Sequence, residues 1–406
     1  MQRRSSDSRS QTDLFAGYQH KFFGWPNLYT PFGFNETENL QTVLIALNHS
    51  WRSQAGSEFQ AAAFYRRNKD DYEFNRLVPG ASNPFQHTTW LRGLATRGRV
   101  QFATAALGYS FEAQRDRLES TALTFGRFNE RSIEKVTLLP ELSAPTSAGR
   151  VTARAGAAFD HSDRDGSAWS PIAELEWRGV EGRMIRGEYS EATQLPSYTA
   201  LNSSATSGLF RGNPNLSRSR ARNLELSAAF AVRGWSVETA VFRRWDDRLV
   251  DWTFRRGVTA RTANPVDTVT DGIEVLATRH CARVDLTFSY AWLHKRSDYG
   301  AALVDASFYA LNFPEHRATA AIRWRVGHGV ELRSDNEYRV QAPNFLRVIG
   351  GDRAVVSSLG LHFAPPALRG WEFSALVDNL WDSAFQEIPA VPASPRQWSV
   401  SAAFRW

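Results

Sequence analysis

The feature that most constrains this chain is a rhythm of connections. About eighteen short segments in which every second residue is apolar follow one another from residue 12 to the end, and the links between them alternate in length. Short links fall near 53–56, Gly98, 142–149, 179–182, 233–234, 280–281, 326–328 and 365–369. Long ones fall near 23–39, 67–87, 113–130, 193–218, 247–267, 295–313, 341–352 and 381–395, with a modest one at 161–167. In an antiparallel meander, links of one parity all leave from the same end of the sheet. Tight turns therefore gather at one end and long loops at the other, the asymmetry of a barrel that crosses an outer membrane. A soluble sandwich has no reason to keep that parity.

The faces of the strands agree. In 396–406, Trp398, Val400, Ala402, Phe404 and Trp406 share one side, and Ser399, Ser401, Ala403 and Arg405 the other. In 282–294, Val284, Leu286, Phe288, Tyr290 and Trp292 oppose Arg283, Asp285, Thr287 and Ser289. In 329–340, Glu331, Arg333, Asp335, Glu337 and Arg339 form an unbroken charged side. Such a side needs water or polar partners, because burying ionised groups alone costs several kcal/mol each. The expected fold is an all-β, antiparallel transmembrane β-barrel with lipid outside and a wet lumen inside. Trp177, Trp235, Trp245, Trp371, Trp381 and Trp406 fall close to strand ends, where aromatic girdles belong.

Composition permits this. Fourteen Trp, eleven Tyr and twenty-six Phe accompany a mean hydropathy of -0.41, and no apolar run is long enough for a spanning helix. A barrel strand needs only alternate apolar residues, so it crosses a bilayer while reading as hydrophilic. The single cysteine, Cys281, excludes an internal disulfide framework and a CxxC zinc site. The net charge is +6, but the arginines are spread singly with no basic block, so nucleic acid is not an expected partner. They suit a wet lumen, or outer-membrane lipid and anionic lipopolysaccharide at the rim. The opening MQRRSSDSRSQTDLF is positively charged but has no apolar core, so it does not read as a secretory signal.

No HExxH, GxSxG or glycine-rich phosphate loop is present, and the nine histidines are scattered, so neither an enzyme nor a cofactor or metal site is expected. Asp70, Asp71 and Glu73 offer oxygen ligands but lack the Asp-x-Asp-x-Asp-Gly spacing of a calcium loop, and read as solvated charges. The long loops carry candidates for ligand capture: Trp25 and Tyr29 with Phe32 and Phe34, then Tyr72 and Arg76, Trp252 and Arg255 with Arg256, Tyr309, and Arg347 with Phe345. Rings and guanidinium groups suit a bulky, partly anionic small-molecule ligand. Packing of loop on loop is the plainer use of the same side chains.

Three motifs, in order, carry a family resemblance. Tyr189 to Leu201 (YSEATQLPSYTAL) is followed by Gly212-Asn213-Pro214-Asn215-Leu216 and Asn223-Leu224-Glu225-Leu226; Thr270-Asp271-Gly272-Ile273-Glu274 comes next; Val377-Asp378-Asn379-Leu380-Trp381-Asp382 precedes Pro395-Arg396 and the terminal aromatic. This series resembles the barrel of TonB-dependent outer-membrane receptors, and the segments 23–39 and 64–74 resemble the cobalamin-receptor-like branch. The resemblance implies a receptor for uptake of a corrinoid or ferric siderophore, located in the cell outer membrane. It also implies a barrel of about 22 strands around a plug that TonB engages. Residues 1–406 would then be an N-terminally truncated barrel, about eighteen strands of 22 without the plug, able to reach TonB only through that missing part. A plug-free passive pore and a soluble β-rich binding protein are the alternative readings.

Overall fold

In a computed structural model, residues 1–26, 35–80, 84–123, 129–388 and 393–405 are described. All strands belong to one sheet. In chain order they are β1 (Gln2–Arg4), β2 (Ser10–Pro26), β3 (Asn35–Arg52), β4 (Glu58–Glu73), β5 (Phe85–Gln101), β6 (Ala105–Ser120) and β7 (Glu130–Thr146). Next come β8 (Gly149–Ser162), β9 (Gly166–Gly179), β10 (Met184–Gln194), β11 (Phe210–Arg211), β12 (Ser219–Val232), β13 (Trp235–Phe254) and β14 (Arg261–His280). The last are β15 (Val284–Asp298), β16 (Ala306–Ser307), β17 (Pro314–Gly327), β18 (Val330–Gln341), β19 (Arg353–Phe363), β20 (Trp371–Asp378) and β21 (Gln397–Phe404). The eighteen long strands are those read from the sequence; β1, β11 and β16 are two- or three-residue additions.

Each long strand pairs antiparallel with the next, so the wall is a plain meander. The turns at the short-link end follow local chemistry. Between the paired Val232 and Trp235 only two residues remain, Arg233 (φ 49) and Gly234 (φ 80), and both have the positive φ that a tight hairpin with the native strand twist requires.

One expected turn is displaced. Gly98 lies inside β5, paired with Phe59 and Tyr109, and the chain reverses over residues 102–104, where the Phe102 N–H donates to the Ala105 carbonyl at 2.8 Å. The glycine is there for space: a Cβ would stand 2.5 Å from the Tyr109 hydroxyl oxygen and 2.4 Å from the Glu58 carbonyl oxygen. A ring laid across a strand glycine fills the gap in the pleat.

The sheet is apolar on its outward side. Phe288 and Tyr290 are each 41% exposed on β15, facing Ala320 and Ala318 of β17. The other side carries ion pairs: Asp285 with Arg323 and Arg325, Glu141 with Arg99 and Arg154, and Glu337 with Arg317 and Arg339. The charged side of β18 thus has polar partners, Arg333 with Asp335 and Arg339 with Glu337 along the strand itself and Arg317 from β17. Large apolar groups exposed outside and ion pairs inside invert the order of a soluble protein and match a membrane barrel.

Among the described residues no strand pairing joins the two ends of the sheet. Among the described residues β21 pairs only with β20, and all eight of its residues are exposed. On β2, β1 covers only Gln11 to Asp13, and among the described residues the rest of that edge has no strand beside it. The wall therefore has a seam.

Candidate ligand-binding loops

The long-link end is built taller than the membrane requires. β13 and β14 have 20 residues each, where about 9–11 suffice to span a bilayer. The long connection expected at 247–267 is thus largely strand and contracts to a turn over residues 255–260.

The connection after β10 folds over this arch. It contains one helical turn, α1 (Tyr198–Asn202), capped by Ser197, whose Oγ accepts from the Ala200 N–H at 3.1 Å. The Asn213 N–H donates to the Ala200 carbonyl at 2.7 Å, and Asn213 Oδ1 accepts from the Asn215 N–H at 3.0 Å. The Gly-Asn-Pro-Asn run is a turn device. Gly212 allows the approach, since a Cβ there would lie 2.6 Å from the Ser203 carbonyl oxygen. Ala200, Leu201, Leu216 and Ala263 bury against one another, and Val250 and Trp252 pack on them. Phe210 meets Trp252 edge-on at 5.1 Å.

Polar anchors hold the rest. Asp251, fully buried, accepts from the Tyr299 hydroxyl (2.9 Å) and from the N–H groups of Tyr309 (3.1 Å) and Ala310 (2.8 Å). Burial, with Asp251 beside it, holds the Tyr299 hydroxyl above its ordinary pKa. Burial does the same for Tyr198, which donates to the Asp116 carboxylate and lies under the Arg131 guanidinium at 4.4 Å. Arg261, 4% exposed, is surrounded by Phe210, Phe254 and Phe308 with its guanidinium 4.9–5.7 Å from the ring centroids.

Of the residues expected at a ligand site, Trp252, Arg255, Tyr309 and Arg347 come together in this layer. Trp252 is half-buried, Arg255 exposed and Tyr309 53% exposed. The Arg347 side chain has no exposed area. It donates to the carbonyls of Gln386 (2.9 Å) and Ala342 (3.2 Å) and to Asn312 Oδ1 (2.7 Å), and pairs with Asp352. It ties three loops together. Tyr72 and Arg76 belong to the β4–β5 hairpin: Tyr72 is buried and stacked on Phe85 at 4.6 Å, and Arg76 is exposed. Trp25 has its backbone in β2, and Tyr29, with Phe32 and Phe34, lies outside the described residues.

The sequence reading omitted three apolar side chains that this layer exposes: Leu303 (69%), Val348 (78%) and Ile349 (52%). An apolar Val-Ile pair just before Gly350-Gly351, inside a connection, was the available signal. Near them Arg256 lies over the Phe345 ring at 4.8 Å. Of the acidic trio in β4, Asp71 pairs with Lys69 at 2.8 Å and Glu73 accepts from the Gly80 N–H at 3.1 Å; among the described residues no group of three or more His, Cys, Asp or Glu is set to hold a metal ion.

A family profile described as TonB dependent receptor-like, beta-barrel, matches residues 2–380. The chain is a TonB-dependent receptor-like barrel. Its place is the outer membrane, and its family is one of transport receptors. No curated protein matches the chain. Solved structures do match in fold. The FrpB iron transporter from Neisseria meningitidis superposes with a TM-score of 0.75 at 12% identity, over 99% of this chain and 70% of that one. The siderophore receptor PirA from Acinetobacter baumannii gives 0.73 at 12%, over 98% and 69%. The copper transporter OprC gives 0.69 at 15%, over 98% and 70%. At these identities the likeness to this receptor barrel is one of fold.

Proposed function

We propose that this receptor barrel takes up a bulky, scarce nutrient, a ferric siderophore ahead of a corrinoid, which its outer loops capture. The observation that carries the reading is the exposed patch of Arg255, Arg256 on Phe345, and Tyr309, set on a rigid loop layer. Guanidinium groups beside rings complement an anionic, aromatic metal chelate, while the buried anchors hold the loop backbone that carries them and so lower the ordering cost at binding. The iron and siderophore specificities named for FrpB and PirA favour the ferric chelate. In this scheme the charged lumen holds ligand in transit, and TonB acts on a plug within the wall and not on the wall itself.

The test is a titration of the barrel, purified from outer membranes, with ferric catecholate chelate and with cobalamin. Joint replacement Arg255→Ala and Arg256→Ala should weaken the chelate by about tenfold or more, as loss of charge-assisted bonds requires. Unchanged affinity in that variant, or preference for cobalamin, overturns the assignment. The ion-paired lumen side also favours a second reading, a passive pore. Steady conductance in planar bilayers that chelate does not block would support it.

A further inference from the structure

The outward surface of the wall is uneven in charge. Toward the loop end of β10–β15, four outward arginines meet carboxylates: Arg220 with Glu191 (3.4 Å), Arg222 with Asp247 (2.9 Å), Arg243 with Asp271 (3.4 Å), and Arg296 with Asp271 (4.0 Å). On β4–β6 the same side differs. Register puts Tyr65, Arg92 and Arg115 in one outward row and Arg67, Trp90 and Arg117 in the next. Arg115 pairs with Glu130, and Arg117 with Glu119 at 2.6 Å. Arg67 and Arg92, both exposed, have no carboxylate partner among the described residues. Arg92 and Arg115 stand directly opposite each other; Glu130 balances Arg115, while Arg92 has no carboxylate of its own across the row.

The surface toward the short-turn end is apolar. The next outward row is Ala63, Leu94 and Ala113, with Leu94 58% exposed between two small neighbours. Together with Ile45 and Leu47 they line a groove of about 610 Å³ that Arg92 and Arg115 close at its charged end, with Glu134 as the one carboxylate at its edge. Trp90, half-buried, stands between the arginines, with the Arg117 guanidinium 5.8 Å from its ring centroid. Cations and an indole above, with a bare apolar furrow beneath, repeat the order of an anionic lipid: phosphate, interface, acyl chain.

We propose that the outward face of β4–β6 binds one phosphorylated outer-leaflet lipid with the chemistry of lipopolysaccharide. Arg67 and Arg92 donate to headgroup phosphate, and one acyl chain lies along Leu94 between Ala63 and Ala113. The proposal rests on the outer-membrane placement and is independent of the nutrient the loops take.

The barrel purified from outer membranes in a neutral detergent is assayed by native mass spectrometry for retained lipopolysaccharide. Heat-modifiable gel migration reports whether each variant is folded. Wild type and Arg243→Gln should retain the lipid, while the joint variant Arg67→Gln, Arg92→Gln should lose about tenfold or more of it, as phosphate contacts of this kind require. If the joint variant migrates as unfolded, Arg92→Gln alone replaces it and should show the loss by itself. Equal retention in all folded variants overturns the site. So does equal retention of phosphatidylglycerol and lipopolysaccharide by wild type, which marks a general acidic collar. A dimer in light scattering that the Arg67→Gln, Arg92→Gln variant disperses also overturns it, by assigning the face to a second copy of the chain.

Discussion

The loop layer and the seam are opposites built from the same kind of strand. In the loop layer over β10–β19, buried polar groups such as Asp251 and Arg347 join segments far apart in sequence, and Phe254, Ala263 and Val266 are 5% exposed or less. At the seam, β21 is exposed along its whole length and the outer part of β2 has a partner on one side only. Both regions alternate apolar and polar residues. What separates them is the number of neighbours, so local firmness in this wall follows contacts between segments and not strand propensity.

Removing Asp251 should break the contrast most. Asp251→Ala leaves the Tyr299 hydroxyl and two backbone N–H groups unpaired in a buried site, at a cost of about 3–5 kcal/mol. Hydrogen exchange over residues 299–312 should rise toward that of the β2 edge; unchanged protection would show that Asp251 is not an anchor. Arg347→Met removes donors to three carbonyl or amide oxygens and should cost about 2–3 kcal/mol, read as faster proteolysis across 342–352 and 381–388 together. Cleavage confined to one of them would mean the loops are held separately.

Gly212→Ala should cost about 1–3 kcal/mol, because its Cβ meets the Ser203 backbone and not a flexible side-chain tip. Thermal melting with intact barrel migration checks it. Alkali tests the same layer through its phenols. Tyr198 and Tyr299 have folded pKa values raised above the ordinary 10.0, so the folded state favours their neutral forms. That contribution is complete below about pH 10 and is lost as pH rises through the elevated folded values. Protease cutting within 195–218 should therefore stay constant up to about pH 10 and increase as pH rises above it, with the seam strands unaffected. The smallest effect belongs to the seam: Val400→Thr, at a side chain 84% exposed, should change stability in detergent by no more than about 0.5 kcal/mol.

The wall was legible in the sequence because its information is local. Period-two patterning and turn residues located every long strand, and the unbroken charged side of Glu331 to Arg339 indicated the lumen. Gly98 misled because a strand glycine serving as a bed for Tyr109 has the same letter as a turn glycine. The loop layer was legible only as composition. Arg347 reads as a free ligand-binding cation until four partners, two of them from other loops, surround it, and Asp251 gives no local sign of being an anchor. Such roles are set by contacts between distant segments, which periodicity does not report.

The seam also makes the bore of the barrel a variable. Barrel diameter grows almost linearly with strand number. Drawn edge to edge, β2 and β21 would close a cylinder of the gauge of general diffusion pores, about 16–18 strands; spaced by about four further strands, the same wall reaches the gauge of the plugged transporters. The width of this wall's bore is thus set at one vertical line on its circumference, and the largest polymer of a graded series that enters the purified barrel would gauge that opening directly.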